Sequence, residues 1–318
     1  MNVPKTMNIK HMILSALLLP TTLSAAAQGF ERRVLLENFT TSDCINCPRG
    51  HDIIAATLKN VDAEVIWVCH HSGYTTKRDP YPIDASDEYT WFYANDMTYA
   101  PAMMIDRRNF YEGSGTPVME VEMANVSGAV NYEMERPAQV SVNIDKRYDA
   151  ATRHLTLTIS GKTTADFALS NPVLNIFLTE DSLVSYQNAG GSKYRHDHVI
   201  RDNLTQVWGD PITLGSDGNY SASYDYDVDP TWKERHMTVI AFVSNYDPDD
   251  KNHCAVENAN SVALLGSNAE TEAVGSLTAC QAAPMLVSSL SGIRLRQPSR
   301  GINIVRRADG TVVKRFVK

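Results

Sequence analysis

Beyond residue 27 the sequence has no apolar run long enough to cross a bilayer as a helix. It carries one CxxC but no second CxxC and no HxxH companion, so a common zinc module is disfavoured and neither metal nor cofactor is expected. The acidic run Asp247-Pro248-Asp249-Asp250 lacks the spacing and closing Glu of an EF-hand loop and reads as a solvated turn. Cysteine is sparse, with only Cys44, Cys47, Cys69, Cys254 and Cys280, and the odd count leaves at least one thiol over if pairing is intramolecular. A chain of 318 residues with 43% hydrophobic content can bury a core without leaning on disulfides. Internal repeats are absent. Charge is uneven: residues 284–318 hold eight Arg or Lys against one Asp, yet the whole chain has a net charge of −8, so the body is strongly acidic. An acidic body argues against nucleic-acid binding, which needs basic patches for phosphate.

What is present begins with a leader. Lys5 and Lys10, an apolar run over residues 12–19, and Ser24-Ala25-Ala26-Ala27 predict a secretory signal over residues 1–27. No cysteine sits near the cleavage point to take a lipid. Export would let disulfides persist.

From residue 28 to 135 strand and helix signals alternate, which predicts an α/β domain. Val34-Leu35-Leu36-Glu37-Asn38-Phe39 reads as a strand and residues 48–58 as a helix. Residues 63–70 form an apolar run suited to a strand buried on both faces. Ser86 caps an expected helix over residues 87–93, a strand follows Pro101, and a helix is expected over residues 118–134. At Arg136-Pro137 the character changes. Val140, Val142 and Ile144, and then Leu155, Leu157 and Ile159, alternate with polar residues. Short strands with turn punctuation follow, so residues 137–265 are expected to form an all-β sandwich-like domain. Residues 266–283 read as a linker. Within residues 284–318, Asp309-Gly310 between two β-prone runs predicts a hairpin.

Cys44-Ile45-Asn46-Cys47 lies between the first strand and its helix, the redox placement of thioredoxin-like domains. A helix N-terminus stabilises a thiolate through its unpaired N–H groups. Cys44 would be the exposed, attacking thiol and Cys47 would resolve the mixed disulfide. Pro101, just before the third strand, is where such domains place a cis-proline facing the pair. A structural staple is the competing reading, and Asp43 supports it, because a carboxylate beside Cys44 opposes thiolate formation. His196 and His198 would share one strand face, as a metal pair does, but further ligands are lacking and structural roles are expected for them, for His70-His71 and for His253. Cys69 reads as an inert core residue. Cys254 and Cys280 flank the end of the β-domain and have the placement to pair.

With these residues in view the chain resembles the outer-membrane-protein-28-related family of Bacteroidetes. The resemblance rests on Leu36-Glu37-Asn38-Phe39-Thr40 leading into Cys44-Ile45-Asn46-Cys47-Pro48-Arg49-Gly50-His51, and on Ala100-Pro101-Ala102-Met103-Met104-Ile105-Asp106-Arg107. In the β-domain it rests on His196-Asp197-His198-Val199-Ile200-Arg201 and on residues 217–226 and 239–245. It implies a thioredoxin-like domain followed by a β-rich one. Separately, Gly301-Ile302-Asn303-Ile304-Val305 and Lys314-Arg315-Phe316-Val317-Lys318 resemble a type IX secretion sorting signal, which implies the outer-membrane secretion machinery as a partner and a surface or extracellular destination. The expected activity is thiol–disulfide exchange on a protein or peptide through Cys44, Cys47 and Pro101. The alternative is a surface-binding, adhesin-like protein in which the pair is a staple.

Overall fold

The computed structural model describes residues 29–72, 79–94, 100–111, 113–266, 286–289, 294–295, 301–306 and 312–317. The leader expected at residues 1–27, Cys280, and the linker expected after Gly266 lie outside the described residues. The chain divides into two compact units, Met1–Ala269 and Glu270–Lys318.

The first unit opens with β1 (Val34–Thr40), α1 (Cys47–Leu58), β2 (Val65–His71), α2 (Asp84–Ala94), β3 (Ala102–Ile105), β4 (Met119–Glu120) and α3 (Met123–Met134). Strands alone follow: β5 (Asn143–Asp149), β6 (His154–Lys162), β7 (Pro172–Glu180), β8 (Leu183–Gln187), β9 (Gly191–His196), β10 (Val199–Asn203), β11 (Asp210–Pro211), β12 (Asn219–Asp227), β13 (Met237–Asn245) and β14 (Val256–Ala263). The fold is β-rich, with three α-helices among the described residues and a mixed main sheet.

That sheet has nine strands in the order β14-β13-β7-β10-β2-β1-β3-β4, with β11 added beside β7. β1 and β2 run parallel, from Val34 opposite Val65 to Thr40 opposite His71, whereas β3 runs antiparallel to β1. All seven residues of β1 are buried, as expected of a strand covered on both faces. Val34 and Leu36 pack with Ile54 of α1 and Val126 and Val130 of α3. Leu35 and Phe39 join Tyr89 and Tyr93 of α2, together with Phe177 and Phe242. Each such side chain, fully buried, contributes about 1.5–3 kcal/mol.

Strands from both sides of Arg136-Pro137 meet in this sheet. β10 joins β2 where Val199 pairs with Cys69, and the Cys69 N–H donates to the His198 carbonyl at 2.7 Å. A separate three-stranded sheet runs in the order β12-β6-β5. It packs Leu155, Leu157 and Ile159 against Leu174, Ile176 and Leu178 of β7 and Val239, Ala241 and Val243 of β13. β8 and β9 form a separate hairpin.

Two expected elements differ. The helix expected over residues 118–134 starts only at Met123, because Met119 and Glu120 pair with Met103 and Ala102 as an edge strand. Ser86 lies inside α2 instead of capping it; the helix begins at Asp84, and the Ser86 hydroxyl meets His70 Nδ1 at 3.2 Å. In the second unit, β15 (Leu286–Ser289), β16 (Arg294–Leu295), β17 (Gly301–Arg306) and β18 (Val312–Val317) form a sheet ordered β16-β15-β17-β18. β17 and β18 pair antiparallel from Gly301 opposite Val317 to Arg306 opposite Val312. The Asp309-Gly310 turn between them lies outside the described residues.

Candidate functional site

β1 delivers the chain to the loop of residues 41–46, and α1 begins at Cys47 with Pro48 in its first turn, where a missing N–H costs no helical bond. Cys44 and Cys47 form a disulfide, with their Cα atoms 5.4 Å apart. Cys47 is fully buried, Cys44 is half-buried, and Ile45 between them is 63% exposed. Of the two cysteines, Cys44 is the less buried.

Pro101 faces this turn. The Ala100–Pro101 peptide bond is cis, and the Ala100 carbonyl oxygen lies 3.2 Å from Cys44 Sγ. In the dithiol state that oxygen is placed to accept the Cys44 thiol proton. α1 approaches Pro101 at Gly50, where an added Cβ would fall 2.7 Å from Pro101 Cβ and 2.8 Å from its Cγ. Only glycine fits there. A groove of about 780 Å³ runs alongside, lined among others by Arg49, Ile53, Pro101, Glu120, Glu122 and Met123.

The other side of the loop is covered by the β8–β9 hairpin. Gln187 Nε2 donates to the carbonyls of Thr41 at 3.2 Å and Cys44 at 2.9 Å. The Asn188 backbone N–H donates to the Ser42 carbonyl at 2.7 Å, and Asn188 Nδ2 donates to the Asp43 carbonyl at 3.0 Å. The Ser42 N–H donates to Asp79 Oδ2 at 2.7 Å, and Asp79 in turn holds His71 Nδ1 at 2.8 Å. Burial pushes Asp79 up, but the His71 ring and the Tyr81 and Ser42 amides outweigh it and keep the carboxylate below its usual range.

Histidines gather behind the hairpin. His51 Nδ1 meets the Tyr194 hydroxyl at 2.9 Å, and His196 Nε2 meets the Ser185 hydroxyl at 3.0 Å. Burial, followed by the neighbouring His71, His196 and His198 rings, pushes His51 down to about 3. Burial and then His71 push His196 down to about 4. His196 and His198 do not share a strand face as expected. β9 ends at His196, and His198 takes a left-handed φ of 61° in the turn to β10, where its ring stacks on Trp67 at 4.6 Å. Among the described residues no group of three or more His, Cys, Asp or Glu has the arrangement of a metal site.

On the opposite face of β2, His70 Nε2 lies 3.1 Å from Glu37 Oε1. Arg107 grips both oxygens of the same carboxylate at 2.8 Å, with Nε on Oε2 and Nη2 on Oε1. Burial pushes Glu37 up, but Arg107 and then His70 overcome this and hold it at about 2. Cys69 and Cys254 are buried free thiols, and burial pushes both above the ordinary thiol range. Cys254 packs in the core beneath α2; the pairing with Cys280 that the sequence allowed lies outside the described residues. Sequence reasoning missed Gln187, Asn188 and Asp79. The signal for the first two was Asn188-Ala189-Gly190-Gly191, turn formers between β-prone runs.

The model of the family described as "Outer membrane protein Omp28" matches residues 92–268, more than half of the chain. No curated protein matches the chain. Among solved structures, HBP35 of Porphyromonas gingivalis is similar with a TM-score of 0.64 at 20% identity, over 91% of this chain and 99% of that one. This is a likeness of fold. A domain of the outer membrane lipoprotein Omp28 from Porphyromonas gingivalis aligns with a TM-score of 0.29 at 19% identity, over 39% of this chain and 87% of that one, too low to bear on the fold.

Proposed function

The chain belongs to the Omp28 outer membrane protein family, and on that footing we propose an exported, outer-membrane-associated protein whose Cys44–Cys47 pair exchanges with thiols and disulfides of protein or peptide substrates. In this reading residues 28–135 are a thioredoxin-like domain, residues 137–265 a β-sandwich-like one, and residues 284–318 a sorting signal for type IX secretion. The observation that carries the proposal is the half-buried Cys44 ahead of a helix N-terminus, its sulfur 3.2 Å from the Ala100 carbonyl that precedes Pro101.

The chemistry balances without a cofactor. A substrate thiolate attacks Cys44 Sγ, the Cys44–Cys47 bond breaks, and Cys47 leaves as a thiolate that takes a proton. A second substrate thiolate then attacks its partner sulfur in the mixed disulfide and releases Cys44. The substrate dithiol is oxidised and the CxxC pair reduced; the reverse sequence reduces a substrate disulfide. Pro101 and the groove beside it would hold an extended peptide against Cys44.

The test is insulin reduction and refolding of a scrambled disulfide protein by the full mature chain. Turnover that Cys44→Ser abolishes is the expected result, and turnover indifferent to Cys44→Ser sinks the proposal. Deleting residues 284–318 should abolish surface or extracellular delivery, and unchanged delivery removes the sorting reading. A second reading, surface binding with the pair as a staple, is favoured by Asp43 next to Cys44. A reduction potential below about −300 mV, typical of structural disulfides, would select it.

A further inference from the structure

Four successive carbonyls precede or belong to the first cysteine, at Thr41, Ser42, Asp43 and Cys44, and the tip of the β8–β9 hairpin donates to every one of them. Gln187 spends both hydrogens of its amide on this, and its side chain is fully buried. Its orientation is fixed by chemistry, because the reversed amide would set an oxygen against two carbonyl oxygens. These bonds span 143–146 positions of sequence. The neighbouring side chains Val184 and Tyr186 are instead exposed.

We infer that Gln187 and Asn188 are positioning residues for the Cys44–Cys47 pair, holding its loop in the disulfide-closed arrangement whether or not the disulfide is formed. The inference rests on the exchange function proposed above. Closing the disulfide needs the two Cα atoms at their 5.4 Å separation. A loose loop would give up conformational freedom at each closure, whereas a clamped loop has already given it up. Two consequences follow. The pair is more reducing than the same CxxC on a free loop. Mixed disulfides at Cys44 are also short-lived: Cys47 thiolate attacks Cys44 Sγ, the bond to the partner sulfur breaks, and the partner leaves as a thiolate and takes a proton. The hairpin therefore acts on resolution, while Pro101 acts on substrate binding.

The experiment equilibrates the full chain in glutathione redox buffers and scores Cys44 and Cys47 by alkylation and mass spectrometry. It also times the resolution of the glutathione mixed disulfide at Cys44. Gln187→Met keeps length and removes both donors. It should lower the closure constant about tenfold, which for a two-electron couple raises the midpoint by about 30 mV, and slow resolution by a similar factor. Asn188→Ala should shift both in the same direction by less, and Tyr186→Ser, on the exposed face of the same hairpin, should shift neither. If Gln187→Met loses its native circular dichroism, Asn188→Ala at its half-buried position carries the test. Wild-type midpoints and resolution rates in the folded clamp variants would overturn the inference. Shifted midpoints in a protein that never turns over insulin would keep the clamp and remove the exchange function. Insulin turnover with unshifted midpoints would do the opposite.

Discussion

His70 and His71 are adjacent in β2 and face opposite sides of one sheet, and the two sides treat a buried histidine differently. On the His70 side both ring nitrogens have partners, Glu37 and Ser86, and the Arg107 guanidinium closes the network while lying over the Tyr89 and Phe242 rings at 4.7 and 4.9 Å. On the His71 side Asp79 holds one nitrogen, but around it Thr41 Oγ1, Ser42 Oγ, His51 Nε2, Gln187 Oε1 and His196 Nδ1 are buried without a partner. Buried polar atoms are rarely left so; on the His70 side the Tyr93 hydroxyl, beside Arg107, also lacks a partner. The paired side holds the sheet together; the other side holds the disulfide loop.

The sharpest way to break this contrast is Arg107→Met. Glu37 would be left fully buried with only a neutral histidine, and orphaning one member of a buried ion pair typically costs about 3–5 kcal/mol. Urea unfolding should show that loss, while the Cys44–Cys47 midpoint in whatever remains folded stays at its wild-type value. A loss under about 1 kcal/mol would mean that the paired side is not the stabilising one.

Acid should act on the buried histidines of both sides before it reaches Glu37. His51 and His196 resist protonation when folded, so the unfolded chain binds more protons below its ordinary histidine value of 6.5. Their contribution is therefore full above 6.5 and declines as pH falls towards about 3 for His51 and about 4 for His196. His70, also held down by burial, adds to the same decline. Glu37 loses its contribution in the same direction but at lower pH: it is full above 4.5 and is lost as pH falls through about 2. Unfolding free energy measured from pH 7 to 3 should thus fall first on the histidines. His196→Gln should flatten that first decline by about 1–3 kcal/mol. An unchanged slope between pH 6.5 and 4.5 in His196→Gln would remove the hairpin side from the account.

How much of this was legible in the sequence follows from distance along the chain. β1, the helix behind Pro48, and Pro101 ahead of β3 are local signals: an apolar run, a proline in a first turn, an X-Pro before a short strand. The match of β17 to β18 follows in the same way from the runs flanking Asp309-Gly310. Glu37 sat unnoticed inside an apolar strand because nothing local announces Arg107, 70 positions away. The hairpin clamp was hidden for the same reason. Met119 went wrong because the helical spacing of Met123, Val126, Val130 and Met134 was carried back to Val118, and pairing with Met103 makes residues 119–120 a short edge strand instead. His196 and His198 went wrong because a turn at His198 breaks the alternation that a continuous strand would have given.

A last test lies where the disulfide side meets Pro101, and there the readout is activity more than stability. Gly50→Ala sets a methyl group 2.7 Å from a proline ring that has no flexible end to move aside. Overpacking of this kind costs about 1–3 kcal/mol, and here the strain is relieved by moving α1 away from Pro101. That displacement carries Cys47 with it, since Cys47 is the first residue of α1. Gly50→Ala should therefore slow insulin reduction far more than it lowers the urea midpoint. Arg107→Met should do the reverse. If both variants lose activity only in proportion to stability, the two sides of the sheet are not divided in their work, and the disulfide loop is one more part of the core.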